Sequence, residues 1–286
     1  MKIVIVGAGA MGRFLGGMLG RSGNEVIFVE KDPGIVVQDG KSIEACDLTI
    51  LAVKSYVTAS AARGIRHLVT ESSPILTLQT GLGNVETLCE ILDPENILGG
   101  VTYHGSTSLR DSMVRHAGTG RTIIGGIDGE IGERVERVQA LLNASDIHTR
   151  ITDNVMGHIW AKALVYSAVN PLTALLQLKN GQLTEKMESI SLAKRLIDEG
   201  KQVAQAYGIQ LPGEDLYDSL LEVCRKTSEN LSPMLQDLLN GRPTEIDALN
   251  GAIRTMGEAR SLGVITHQTM TELVRLAEKW HKVSEP

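Results

Sequence analysis

The 286-residue sequence predicts an α/β domain on a parallel sheet, followed by a separate all-α domain. Three observations carry that expectation. A glycine-punctuated strand-to-helix junction opens the chain. Apolar strand-like runs then alternate with helical patterns to about residue 150, and only helical periodicity continues beyond it.

The junction is the most informative stretch. Ile3, Val4, Ile5 and Val6 form a β-branched run suited to a strand buried on both faces. Gly7, Gly9 and Gly12 follow as G-x-G-x-x-G, enclosing Ala10 and Met11. Met11, Leu15, Met18 and Leu19 then recur at helical spacing. A dinucleotide site needs this order: a first glycine for the tight turn, a second for close approach of a pyrophosphate, a third for helix–strand packing. The helix N-terminus supplies N–H groups and partial positive charge to the phosphates. Lys2 before an apolar run also begins like a secretory signal, but the glycines and Arg13 interrupt any continuous apolar core. The domain is therefore expected to be of Rossmann type.

The second strand, Glu25 to Val29, ends in Glu30-Lys31-Asp32, about 20 residues past the glycines. Glu30 directly follows the strand and suits the ribose hydroxyls of NAD. Lys31 suits the 2′-phosphate of NADP instead. An ordinary charged strand end is the third possibility, and all three stay open. Further strands are expected at 47–53, 73–78, 96–103, 122–126 and 147–151. The second of these feeds the glycine turn Gln79-Thr80-Gly81-Leu82-Gly83-Asn84. His116, Gly118 and Gly120 mark a turn-rich segment. Residues 130–143 read as an amphipathic helix with Ile131, Val135, Val138 and Leu142 on its buried face. The domains are expected to span 1–150 and 151–286 without a flexible linker, with a substrate cleft between them.

Composition narrows the classes. No stretch reads as a membrane span, and no Lys/Arg cluster or aromatic platform suggests nucleic acid. Three cysteines without C-x-x-C spacing indicate neither a disulfide framework nor zinc, and the histidines show no ligand spacing. No metal is expected, and a soluble cytoplasmic protein is.

In the second half, Lys162, Tyr166 and Asn170 stand at i, i+4 and i+8, so one helix face carries an amine, a phenol and an amide. Pro171 is expected to end or kink that helix just after Asn170. A lysine that snorkels to solvent beside a satisfied tyrosine explains the face equally well. Ser232-Pro233 reads as an N-cap and first helical residue. Thr244 and Asp247 have capping-box spacing, and Glu245 suits a first helical turn. Spacing alone does not single out Glu245 as catalytic.

The combined motifs resemble the ketopantoate reductase (2-dehydropantoate 2-reductase) family over nearly the whole chain. They are GAGAMG at 7–12, AVKSY at 52–56, GLGN at 81–84, HAGTGRTIIG at 116–125, IWAKALVYSAVNPLTAL at 159–175 and SPMLQDLLNGRPTEID at 232–247. The resemblance implies reduction of ketopantoate to pantoate by NADPH, for pantothenate synthesis, in a cytoplasmic enzyme that forms a homodimer. It implies that Lys162 is the general acid and Glu245 its neighbour. Gly7, Gly9, Gly12 and Lys54 would hold the cofactor, Asn170 and Asn180 would contact substrate, and Ser232 would help bind its carboxylate end. Three features depart from the family pattern. Thr80 stands where asparagine is usual, in the turn facing the nicotinamide. Tyr166 replaces another asparagine where substrate is expected, and the segment between Asp32 and Asp47 is short. These departures keep two alternatives in view: a reductase of another branched 2-keto acid, and a dinucleotide-binding sensor without turnover.

Overall fold

A computed structural model describes residues 1–30, 42–108, 114–118, 120–213 and 215–281. Two compact units divide the chain, Met1–Ile159 and Trp160–Pro286. The expected boundary at 150 falls within a strand, whereas the division by contacts lies inside the helix that follows.

The first unit holds a seven-stranded sheet in the order β2-β1-β3-β4-β5-β8-β9. Its strands are β1 (Lys2–Val6), β2 (Glu25–Val29), β3 (Leu48–Leu51), β4 (Ile75–Thr77), β5 (Ile97–Thr102), β8 (Thr122–Gly126) and β9 (Thr149–Ile151). Strands β1 to β5 run parallel, whereas β8 pairs antiparallel with β5. β8 follows a short hairpin of β6 (Gly105–Ser108) and β7 (Val114–Gly118) rather than a crossover helix, and so re-enters the sheet reversed. The segment around His116 expected to be turn-rich is thus strand β7; glycines there gave a turn signal that cross-strand pairing overrides.

Burial on both faces explains the unbroken apolar runs. Ile3, Ile5, Leu48, Ile50 and Leu76 face α1 (Ala10–Arg21) and α4 (Glu133–Ala144) through Leu15, Leu19, Val135, Val138 and Leu142. Val4, Val6, Leu51, Ile75 and Ile97 face the other way, toward α2 (Thr58–Ile65) and α3 (Asn84–Cys89) through Ala62, Ile65 and Leu88. Helix α4 begins at Glu133, later than expected, so Ile131 precedes it and is 52% exposed rather than part of the buried face.

The second unit is helical: the greater part of α5 (Val155–Leu176), then α6 (Met187–Ala206), α7 (Leu216–Lys226), α8 (Pro233–Leu239), α9 (Asn250–Ala259) and α10 (Ile265–His281). Helix α5 is long and apolar enough to cross a membrane, a stretch the sequence reading did not pick out, and 83% of its most apolar window is buried inside the protein. It also continues through Pro171 to Leu176, so of the expected end or kink after Asn170 the end does not occur. The proline leaves the Ser167 carbonyl without its intrahelical donor. The Asn250 side chain donates to that oxygen at 2.9 Å in its place.

Candidate active site

The glycine loop of the first unit is built as its spacing requires. Gly7 has φ +104°, and a Cβ there would lie 2.8 Å from the Ala52 backbone. A Cβ on Gly12 would lie 1.9 Å from the Gly7 carbonyl oxygen, so only glycine lets α1 start this close to β1. Gly9 has open space around its α-carbon. The first turn of α1, with Ala10 and Met11, has no side-chain cap, and its N–H groups have no partners within the helix.

Two side chains fix the peptide groups at Ala8. Glu30 Oε2 accepts from Ala8 N at 2.8 Å, and Arg13 Nε donates to the Ala8 carbonyl. Glu30 therefore lies at the glycine loop, with a second carboxylate oxygen able to accept further donors. Lys31 lies outside the described residues, as does most of the short 33–46 segment. Arg13 had no signal in the sequence beyond its place in the motif.

The ends of β3 and β4 are wired together by residues that spacing did not reveal. Gln79 Nε2 donates to the Val53 carbonyl at 3.0 Å and to Thr58 Oγ1 at 2.7 Å. Thr58 in turn donates to Asn84 Oδ1 at 2.9 Å, and Asn84 Nδ2 reaches the carbonyls of Thr80 and Gly81 at 3.4 and 3.3 Å. Lys54 and Thr80, both half-buried, thus sit on loops whose backbones share one buried network at the carboxyl ends of the strands. That edge is where parallel sheets place their ligands.

In the second unit Lys162, Tyr166 and Asn170 lie along one unbroken helix, as their spacing predicts. Lys162 is 7% exposed, which excludes a lysine snorkelling to bulk water. Its Nζ lies 5.5 Å from the centroid of the half-buried Tyr166 ring. Burial pushes the Lys162 ammonium down from its ordinary value to about 8, and the negative charge of Glu245 opposes that fall. The two residues are therefore electrostatic partners, although 83 positions of sequence separate 162 from 245.

Glu245 reaches this position without the expected capping box. It precedes a short 3₁₀ turn, Ile246–Ala248, and α9 starts only at Asn250. Asp247 turns away to Arg275, with Nη2 2.7 Å and Nε 3.0 Å from Oδ1, so an ion pair with α10 has displaced the cap. Thr244 Oγ1 accepts from Ile246 N instead, at 3.2 Å.

Asn170 and Asn180 are both buried, and the Oδ1 atom of each lacks a hydrogen-bond partner among the described residues. Asn180 Nδ2 donates to Thr227 Oγ1 at 2.9 Å. Ser232 caps α8, as expected, accepting from Leu235 N at 3.2 Å, and its hydroxyl lies 2.8 Å from Thr173 Oγ1. At 1% exposure that hydroxyl is engaged inside the protein. Among the described residues no group of three or more acidic, histidine or cysteine side chains converges to hold a metal.

Comparison with known proteins places this architecture. Residues 154–278 match the family described as ketopantoate reductase PanE/ApbA C terminal. Residues 3–44 and 30–129 match the one described as ketopantoate reductase PanE/ApbA, and the two pieces overlap where the segment after β2 is short. A 2-dehydropantoate 2-reductase of Pyrococcus abyssi (strain GE5 / Orsay) is 34% identical, over 92% of this chain and 93% of its own. A PanE/ApbA family ketopantoate reductase from Ralstonia eutropha JMP134 superposes with a TM-score of 0.89 at 30% identity, covering 99% of this chain and 100% of that one. D-mandelate dehydrogenase, solved with NADH and anilino(oxo)acetate, superposes with a TM-score of 0.92 at 25% identity, covering 99% of both chains. The chain is an NAD(P)H-dependent oxidoreductase and belongs to the ketopantoate reductase family.

Proposed function

We propose that this protein reduces 2-dehydropantoate to pantoate, with Lys162 as general acid and Glu245 as the carboxylate that keeps it charged. The observation that carries the proposal is the buried Lys162 ammonium, held near 8 between desolvation and the Glu245 charge. Such a group is mostly protonated at neutral pH, yet close enough to neutrality to give up its proton.

In this proposal the first unit binds the dinucleotide through Gly7, Gly9, Gly12, Ala10, Met11, Lys54 and Thr80, and the helical unit supplies the acid and the substrate contacts. A reduced nicotinamide, when bound, supplies the hydride. As the C2 carbonyl of the keto acid becomes an alkoxide, the Lys162 ammonium stabilises the growing negative charge. One N–H proton passes from Nζ to that oxygen, giving the alcohol and a neutral amine, which solvent reprotonates. Asn170 and Asn180 would contact the substrate, as the family resemblance implies; their amide oxygens are enclosed and lack partners among the described residues. Ser232 enters through its cap on α8, ordering that helix start, more than through a free hydroxyl. Lys162→Ala should lower kcat by roughly 10²–10⁴-fold while the protein folds normally. Steady-state assay with ketopantoate tests this, and undiminished turnover would remove Lys162 from the mechanism.

A second substrate reading has its own support. Tyr166 puts an aromatic ring beside Lys162, and an aryl or bulkier branched 2-keto acid would pack on it. A keto-acid panel assayed on wild type and Tyr166→Asn distinguishes the two. Ketopantoate as the best wild-type substrate excludes the second. Keto-acid-dependent oxidation of either dinucleotide excludes a sensor without turnover.

For the cofactor, family resemblance and Lys31 support NADPH, whereas Glu30 supports NADH. Its carboxylate on Ala8 N puts negative charge where a ribose 2′-phosphate would approach. Glu30→Gln should raise the NADPH/NADH ratio of kcat/KM by roughly tenfold, and Lys31→Ala should lower it. An unchanged ratio in either variant removes that residue from cofactor selection.

A further inference from the structure

Helix α5 carries Lys162, Tyr166 and Asn170, and it also carries a defect. Pro171 has no N–H, so the Ser167 carbonyl, four residues back and one residue beyond Tyr166, loses the donor that an α-helix would give it. Left buried and unsatisfied, that oxygen would be costly. Asn250 Nδ2 donates to it at 2.9 Å, from a side chain that is fully buried.

The amide orientation of Asn250 follows from its other neighbour. His267 Nε2 lies 2.8 Å from the Leu196 carbonyl, which can only accept, so Nε2 carries the proton. His267 Nδ1 is then an acceptor, 3.2 Å from Asn250 Nδ2. Both N–H groups of one amide nitrogen are thus claimed, by α5 on one side and α10 on the other. Asn250 Oδ1 has no partner among the described residues, so it is the NH₂ group that the fold uses here. His267 is kept neutral by burial and is fully enclosed. Glu199 of α6 fixes the start of α10 beneath it, accepting from Thr266 N and His267 N.

Position matters as much as satisfaction. Asn250 is five residues past Glu245, and Ser167 is five residues past Lys162. The same segment is held to α10 by two other ties, a half-buried one in which Thr244 N donates to Glu278 Oε1 at 2.7 Å and an exposed ion pair of Asp247 with Arg275. Neither reaches α5, and the exposed pair contributes little. The buried Asn250 bond ties the Glu245 segment to the helix of Lys162 directly. We propose that Asn250, oriented by His267, is a positioning residue that uses the carbonyl opened by Pro171 to hold Glu245 in register with Lys162. It touches neither substrate nor cofactor, and the inference rests on the assignment of Lys162 and Glu245 above.

A purely structural role would be to satisfy a stranded carbonyl, and Pro171→Ala separates the two. Alanine restores a backbone N–H to one lone pair of the Ser167 oxygen and leaves the other to Asn250, so the carbonyl no longer depends on Asn250 to be satisfied while the strut is kept, and P171A is the reference for the P171A/N250A double variant. Because the double variant keeps the carbonyl paired, it should fold, with a smaller Tm difference from P171A than N250A shows from wild type. Three quantities are then read: kcat, KM for ketopantoate, and the Lys162 Nζ pKa by NMR with ¹³Cε-labelled lysine. The expected result is a fall in kcat of roughly ten- to a hundredfold relative to P171A, with KM little changed. The Lys162 pKa should fall by about half a unit or more as Glu245 moves away. Retention of both the P171A kcat and the P171A Lys162 pKa would overturn the proposal, as would a loss of kcat with the pKa unmoved. Normal turnover in Lys162→Ala would instead overturn the underlying mechanism, whereas the lysine pKa reports on the Asn250 strut independently of activity.

Discussion

Lys162 is the residue at which burial and charge oppose each other. Desolvation drives its ammonium down and Glu245 pulls it part of the way back, leaving it at about 8. Reduction needs the protonated form, so kcat should be flat below that value and fall as pH rises through about 8. Replacing Glu245 by glutamine removes the opposing charge but not the burial. The Lys162 pKa then falls further, and the descending limb of the kcat–pH profile moves to lower pH by about a unit. A limb that stays in place in Glu245→Gln would show that the carboxylate does not govern the lysine. The burial was not legible in the sequence, and the pairing came only from the family resemblance, not from spacing. The i, i+4, i+8 pattern gave the polar face, but burial of its lysine depends on helices distant in the chain.

The elements divide by how local their causes are. The opening strand, its glycine turn and α1 were legible because each is set within a dozen residues. Gly12 must be glycine for a reason only five residues away, the Gly7 carbonyl. The end of α5 and the Thr244/Asp247 pair were not legible because a distant partner intervened: Asn250 satisfies the carbonyl that Pro171 strands, and Arg275 takes the aspartate. The Gln79 network was illegible for the same reason, since it joins residues 53, 58, 77 and 84 across two loops. Those bonds brace the loops bearing Lys54 and Thr80 at the carboxyl ends of the strands, where the dinucleotide is proposed to bind. Gln79→Ala should therefore weaken dinucleotide binding by roughly tenfold, from loss of about 1–1.5 kcal/mol of preorganisation. Equilibrium titration of NADPH and NADH by fluorescence measures this. Unchanged dissociation constants would confine Gln79 to loop packing.

At the scale of the whole molecule, the same lysine ties activity to stability. Its pKa is about 8 when folded and 10.5 for the free side chain. The contribution of a group with a depressed native pKa is fully present above the unfolded value and is lost as pH falls through the native one. Between about 8 and 10.5 the unfolded chain binds more protons at this site, so Lys162 makes stability rise with pH. Below 8 the cost of burying the charge is fully in force, on the order of 3 kcal/mol for a shift of this size. Lys162→Met keeps most of the side-chain volume and removes that cost. Glu245 is only half-buried and can be hydrated once its partner is gone. The variant should therefore be catalytically dead yet unfold at a Tm several degrees above wild type at pH 7. Because other titrating groups affect both proteins alike, the Tm difference isolates this site. It should shrink steadily above pH 8 and vanish near 10.5. A variant less stable than wild type at pH 7, or a difference independent of pH, would mean that the folded protein does not hold Lys162 as a strained cation, and that its charge is provided for by the surrounding helices.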